Sequence, residues 1–301
     1  MRWVTYRSAA SGADRVGLLL DDGIHALAAG VALLDLLGQP GRLEAAADWA
    51  RTQPDEVVSV DKVSLRPPIL RPPSIRDFYA FEQHVRTARE GRGLEMDADW
   101  YELPVFYFTN PAAVRGPGEE IAVPPGCEAL DFELEVAAVV GQGGSDLSPH
   151  EAEAHIAGFM VMNDWSARDL QAREMKQGLG PAKGKDFATT LGPALVTPDE
   201  LEPLRQNKAY NLLMTARVNG REYSRGNLAD IHWSFGEMLA YASRGTTLVP
   251  GDVIGSGTCG TGCILELSLT HGQDAYPWLR PGDIVELEVT GIGTISNPVT
   301  P

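Results

Sequence analysis

Asp131-Phe132-Glu133-Leu134-Glu135-Val136 alternates carboxylates with apolar residues at a period of two. On a β-strand that spacing places Asp131, Glu133 and Glu135 on one face and Phe132, Leu134 and Val136 on the other. Side chains two apart on a strand lie roughly 6–7 Å apart, and like charges that close repel unless water or a cation intervenes. An edge strand with a solvated acidic face is the plain reading. The apolar run that follows, Val136 to Val140, argues instead for an interior strand. There an unneutralised acid cluster is costly, so the pattern points to a hard divalent cation held by oxygen ligands. Asn163-Asp164 falls where a strand reading gives way to a helix reading. Such junctions lie at the rim of a sheet, where functional side chains collect. A third carboxylate converging on Glu133 and Glu135 would complete a partly hydrated oxygen site suited to Mg2+, Mn2+ or Ca2+.

Two glycine-bearing segments imitate nucleotide motifs. Gly255-Ser256-Gly257-Thr258-Cys259-Gly260 matches G-x-G-x-x-G, but Cys263 to Leu267 reads as a strand where a dinucleotide site needs a helix. Gly184-Lys185-Asp186 lacks the upstream glycine (Leu179 stands there), and Asp186 replaces the Ser/Thr of a P-loop. Neither HExxH nor GxSxG occurs.

These residues need a framework, and the composition bounds it. The 301 residues carry 25 basic and 41 acidic side chains, a net charge of −16. That charge argues against nucleic acid and anionic membrane as partners, and an anionic substrate would need a local basic pocket. Cys127, Cys259 and Cys263 form no even framework and no CxxC, so free thiols in a reducing, cytoplasmic compartment are expected. No stretch is long and apolar enough to read as a membrane span.

Residues 1–66 read as a small N-terminal domain. Strands are expected at 4–7 and 15–20, an Asp21-Asp22-Gly23 turn into Ile24-His25-Ala26, and short helices at 31–37 and 43–51. Four prolines in Pro67-Pro68-Ile69-Leu70-Arg71-Pro72-Pro73 stiffen the chain and mark the boundary to a second unit, 67–301. Within it Glu82 to Glu90 reads as a charged helix, a candidate lid over 82–93. Beyond about residue 121 the chain reads as β-rich. Ser166-Ala167-Arg168-Asp169 fits a capping box opening a helix through Met175. Further expectations are a helix over 150–155, a strand over 158–162, a strand over 211–218, a helix over 231–243, and strands launched by the Pro-Gly-Asp turns at 250–252 and 281–283.

Taken together, NDWSARDLQ and DFELE at this spacing resemble the fumarylacetoacetate hydrolase family, with similarity running from about Ser74 to Val299. The resemblance implies an α+β, β-rich fold: a mixed β-sheet roll around a metal, behind a small N-terminal domain, commonly as a homodimer. Asp77-Phe78-Tyr79 followed by His84 is similar to the segment that supplies a metal-binding Asp, a substrate-binding Tyr and the catalytic His. Leu103 to Tyr107 is similar to a segment ending in a second substrate-contacting Tyr. Ile264-Leu265-Glu266-Leu267-Ser268 is similar to the strand whose Glu orients the His, and Ser256-Gly257-Thr258 to the loop whose Thr binds the substrate carboxylate. Arg168, Gln171 and Lys185 match polar groups beside the reacting oxygen. Met175 departs from the family pattern, which has a Tyr four residues after the Gln.

The resemblance thus implies metal ligands Asp77, Glu133, Glu135 and Asp164 for Mg2+ (or Mn2+ or Ca2+), and His84 oriented by Glu266 as general base on water. Lys185, Arg168 and Gln171 would offset developing negative charge, while Tyr79, Tyr107 and Thr258 position a small anionic dioxo acid. The expected activity is hydrolysis of a C–C bond in a β-diketo acid such as an acylpyruvate or fumarylacetoacetate. Met175 favours the acylpyruvate. The family also holds oxaloacetate-type decarboxylases and 2-oxo-enoate hydratases and isomerases, and a catalytically inactive binding protein is the non-enzyme alternative. Arg71, Arg76, Arg86, Arg89 and Arg92 are candidates for drawing in the anion.

Overall fold

Leu134–Val140 is apolar on both sides of the strand apart from Glu135, and every residue in it is buried. A strand of that composition must be covered on both faces, and the computed structural model, which describes residues 1–301, shows how. Val136, Ala138 and Val140 join a core with Met214, Ala216, Leu287 and Ile295 of a second sheet. Ala137 and Val139 turn the other way and pack with Trp3, Leu18, Met160 and Leu195.

The strand pairs antiparallel with Ile156–Asp164 on one side and with Val253–Gly255 on the other. Outward from these lie Thr189–Val196 and, on the far side, Ile75–Phe78 followed by Phe106–Thr109, within a mixed 12-stranded sheet. The second sheet has five strands, among them Leu213–Val218, Ile284–Val289 and Gly293–Thr300. This is the β-rich α+β architecture expected from the sequence. No helix is long and apolar enough to cross a membrane.

Strands Arg2–Arg7, Asp14–Leu20 and Gly23–Ala26 and the helix Arg42–Thr52 form near their expected places; of the helix expected at 31–37 only a 3-10 turn, Leu33–Leu36, forms. Arg2–Arg7 pairs with Thr189–Val196, so these strands extend the main sheet. The proline segment is packed: Ile69 is buried, and the Thr5 hydroxyl donates to the Pro68 carbonyl at 2.8 Å. The small N-terminal domain, 1–66, therefore stays a proposal, with its first strand hydrogen-bonded into the rest.

Three local expectations change. Cys263 to Leu267 is not a strand; the helix Ile264–His271 starts there, capped from a distance by the Asp131 carboxylate, which accepts from the backbone N–H of Ile264 (2.7 Å) and Leu265 (3.0 Å). A helix does follow the G-x-G-x-x-G segment, and the pyrophosphate of a dinucleotide is excluded because Asp131 already fills the helix N-terminus. Ser166 makes no capping box. Ser166-Ala167 pairs with Leu130-Asp131, and the helix Arg168–Glu174 begins one residue later than the box would require, without a side-chain cap. The helix expected over 231–243 is shortened to Phe235–Ala242, because Ser234 and Glu237 supply a capping box there.

Candidate active site

Three strands of the main sheet, the central one among them, each deliver a carboxylate. Asp77 lies opposite Gly255, Glu135 opposite Met162, and Asp164 ends its strand. Gly255 is required where it stands, because a side-chain carbon there would collide with Asp77 Oδ1. Glu133 sits just before the central strand, held by a backbone bridge to Cys263 and by its N–H donating to Asn163 Oδ1 at 2.9 Å. The structure thus brings Asp77, Glu133, Glu135 and Asp164 together, with one oxygen of each inside 4.8 Å of the others. All four are at most 5 % exposed. Asp131 does not share their face as the alternation suggested; it turns to cap the helix and to accept from Arg168 Nε at 2.8 Å.

Cations balance part of this charge. Lys185 Nζ lies 2.5 Å from both Glu133 Oε2 and Asp164 Oδ2, and Arg168 donates to Glu133 Oε1 at 2.7 Å. Arg168 also donates to Gln171 Oε1 at 3.1 Å. The Tyr107 hydroxyl donates to Asp164, and Asp77 Oδ1 accepts from Gly257 N–H at 3.2 Å. Both oxygens of Glu135 and Oδ1 of Asp164 have no partner although they are buried. Buried, unpartnered carboxylate oxygens call for a cation or a proton. The set is all oxygen, so the residues fit Mg2+, Mn2+ or Ca2+.

The titration behaviour agrees. Burial, then the neighbouring carboxylates, pushes Glu135 well above the usual carboxylate range, and burial followed by Asp164 does the same to Asp77. Burial lifts Asp164 to about 6 against the pull of Lys185. Glu133 is also buried, yet Lys185 and Arg168 overturn that effect and hold it below the usual range. Without a metal, Glu135 and Asp77 are the members pushed toward keeping a proton, while Glu133 and Asp164 share Lys185.

Beside the carboxylates lies a histidine pair. His84, on the helix Glu82–Glu90, is 5 % exposed, and its Nδ1 is 2.9 Å from Glu266 Oε2. Glu266 comes from the helix that Asp131 caps, so its position is set 135 residues away in sequence (266 minus 131). The Tyr79 ring stands edge-on to His84 at 5.5 Å. Thr258 is buried in the loop between Val253–Gly255 and that helix. Tyr79 is half-buried, Gln171 lies on the helix Arg168–Glu174, and Met175 at its end is 47 % exposed.

Four of the five arginines expected to attract an anion are otherwise engaged. Arg76 is buried, paired with Asp252 and stacked 5.0 Å from the Phe108 ring centroid. Arg86 pairs with Glu82, Arg89 with Asp97, and Arg92 donates to the Ala88 carbonyl. Three site residues escaped the sequence reading. Asp131 was visible only as part of the acidic alternation. Asn163 was visible only as the neighbour of Asp164. Cys263, whose Sγ lies within 4.8 Å of the His84 and Glu266 ligand atoms, carries no sequence signal.

Comparison with known proteins gives the same family from several sides. The sequence model of the fumarylacetoacetate (FAA) hydrolase C-terminal domain matches residues 74–300. A fumarylacetoacetase of Oryza sativa subsp. japonica is 30% identical over 342 residues, covering 88% of this chain and 80% of the relative. The oxaloacetate tautomerase YisK of Bacillus subtilis (strain 168) is 32% identical over 260 residues, covering 84% and 80%. Among solved structures, a fumarylacetoacetate hydrolase from psychrophilic Exiguobacterium antarcticum superposes with a TM-score of 0.75 at 27% identity, covering 100% of this chain and 99% of that one. A probable 2-hydroxyhepta-2,4-diene-1,7-dioate isomerase from Mycobacterium abscessus gives 0.75 at 26%, covering 100% and 98%.

Proposed function

The chain belongs to the fumarylacetoacetate hydrolase family, and from that premise we propose that it is a divalent-metal-dependent hydrolase cleaving a C–C bond of a β-diketo acid of the acylpyruvate class. The observation that carries the reading is the buried His84–Glu266 pair, a water-activating arrangement, set beside a carboxylate cluster that fits a hard cation. Mg2+, or Mn2+ or Ca2+, held by Asp77, Glu133, Glu135 and Asp164 would supply a Lewis acid for the dioxo oxygens.

The residues of the chain do the remainder. Glu266 accepts the Nδ1–H of His84 and so leaves the Nε2 lone pair free to take a proton from water. The water oxygen adds to the acyl carbonyl carbon. The C–C bond then breaks, and its electron pair passes into the enolate of the departing pyruvate unit, which takes back the proton from His84. Lys185 spends two of its three N–H groups on Glu133 and Asp164, and the third remains for a developing oxyanion. Arg168 and Gln171 add donors on the same side. Tyr79, Tyr107 and Thr258 position the acid. Met175 offers an apolar surface where a tyrosine would offer a hydrogen bond, which favours acylpyruvates over fumarylacetoacetate. A homodimer in a cytoplasmic setting accompanies this reading.

A second reading is tautomerisation of a 2-oxo acid, which needs the same enolate and moves only the proton. The relatives named oxaloacetate tautomerases support it. Turnover on a panel of 2,4-dioxo acids and oxaloacetate, followed for carboxylic acid release and separately for loss of enol absorbance, separates the two. His84→Ala should keep metal binding and lower kcat by about 10²–10⁴. Near-full cleavage by this variant would refute water activation by His84, and absence of both turnover and metal binding in the wild type would leave a binding protein.

A further inference from the structure

Cys263 is buried and has no assigned work, yet it stands at a chemically pointed position. It is the residue before the helix Ile264–His271, and Glu266 is three residues on. That is capping-box spacing, which sets the two side chains side by side. Cys263 does not cap the helix, because Asp131 does. Its backbone is fixed by the bridge to Glu133. His84 completes a triangle: a ring nitrogen, the thiol sulfur and a Glu266 oxygen all lie within 4.8 Å of one another.

We propose that His84, Cys263 and Glu266 form a second metal site, selective for a borderline cation such as Zn2+ or Co2+, and that filling it switches the base off. The inference rests on His84 being the base. Nitrogen, sulfur and one carboxylate oxygen are a donor set for Zn2+ and a poor one for Mg2+, whereas the four carboxylates nearby are the reverse. The two clusters therefore sort cations by softness. Neighbouring ligands of a tetrahedral zinc with bonds of about 2.0 Å lie about 3.3 Å apart. His84 Nδ1 and Glu266 Oε2 are already 2.9 Å apart, so the ion replaces the proton between them with little movement. Three protein ligands leave the fourth position for water.

The balance explains the inhibition. Neutral His84 carries its proton on Nδ1; an ion at Nδ1 moves that proton to Nε2, and the lone pair that would accept a proton from water is gone. Cys263 gives up its thiol proton to solvent and binds as thiolate. No oxidant or reductant is involved.

The test uses the full chain saturated with Mg2+ and Co2+ as probe. Expected are a near-ultraviolet thiolate-to-cobalt charge-transfer band and, with Zn2+ in place of Co2+, loss of turnover that excess Mg2+ does not reverse. Even an outer partner that only orients a ligand is worth about 10–100-fold in metal affinity, so Cys263→Ser should lose the band and need more than about 10-fold higher Zn2+ for the same inhibition. Cys263→Ala should do likewise, and thermal melting of both variants checks that they fold. In Asp164→Ala the band should persist although the carboxylate site is damaged. This separates the inference from the proposed function, since the band is read without any turnover. Absence of the band, equal Zn2+ inhibition of Cys263→Ser and wild type, or rescue by excess Mg2+ overturns the proposal.

Discussion

Glu135→Gln tests the carboxylate cluster most directly, because both Glu135 oxygens are buried and unpartnered. At 4.8 Å and an effective dielectric of about 20, each pair of ionised carboxylates repels by about 3 kcal/mol. An ionised Glu135 facing the charges of Glu133 and Asp164 would carry about 7 kcal/mol of repulsion, only part of it offset by Lys185. In the metal-free protein Glu135 therefore keeps its proton at neutral pH, in line with the upward push that burial and Asp77 give it. A neutral glutamine has nearly the same shape as that protonated acid. Metal-free wild type and Glu135→Gln should then melt within a few degrees of one another. With Mg2+ present they part. A ligand at 100 times its dissociation constant stabilises by about 2.7 kcal/mol, which for a chain of this size raises Tm by roughly 4 °C. Wild type should show that rise, and Glu135→Gln should show little of it at the same Mg2+ concentration. Differential scanning calorimetry with and without Mg2+ is the assay. Equal Mg2+-induced shifts would refute Glu135 as a ligand. A metal-free variant that melts far below wild type would refute the protonated state.

Asp164 is pushed up to about 6, so the metal-free folded chain binds protons that the unfolded chain has already lost. Stability of the metal-free protein should accordingly fall as pH rises from about 4 through about 6, and Mg2+ affinity should rise over the same window; a flat Tm profile in chelator contradicts this. Asp131→Asn unpairs part of a buried ion pair and loosens the helix that carries Glu266, so a loss of about 3–5 kcal/mol and a fall in kcat larger than any rise in KM are expected by denaturant titration and steady-state kinetics. Met175→Tyr should shift kcat/KM toward fumarylacetoacetate. A wild type that already prefers fumarylacetoacetate to every acylpyruvate rules out the specificity argument.

Legibility tracks the range of the interaction that decides each element. Val136 to Val140 announces a doubly covered strand through its own composition, and the alternation before it announces acids at a costly depth. Asp77 and Asp164 converge on those acids, and for these two the sequence offered a sheet-rim position for Asp164 and a family resemblance for Asp77. The segment ILELSLTH is different. Its apolar residues satisfy a strand period and a helix period equally, and the tie is broken by Asp131, whose carboxylate takes the first two backbone donors of the helix. Ser166 fails as a cap for the converse reason: its backbone is claimed by Leu130-Asp131, so local chemistry lost to a sheet bridge. Arg76 looked like an exposed steering charge because nothing nearby in sequence reveals Asp252 or the ring of Phe108.

Asp131 thus links the two halves of the site. Through Arg168 it is linked by two hydrogen bonds to Glu133 and the carboxylate cluster, and through the helix it positions Glu266, which pairs with His84 Nδ1. A carboxylate cluster and a histidine set in the same site need separate counter-charges. Here Lys185 and Arg168 stand on the cluster side and take up Glu133, while Glu266 is reserved for His84. Glu133 has both Lys185 and Arg168, Asp164 shares Lys185 and Glu266 has His84, whereas Glu135 and Asp77 have no cationic partner. Those are the two whose protons a bound metal would displace, so metal loading under the proposed function should respond strongly to pH.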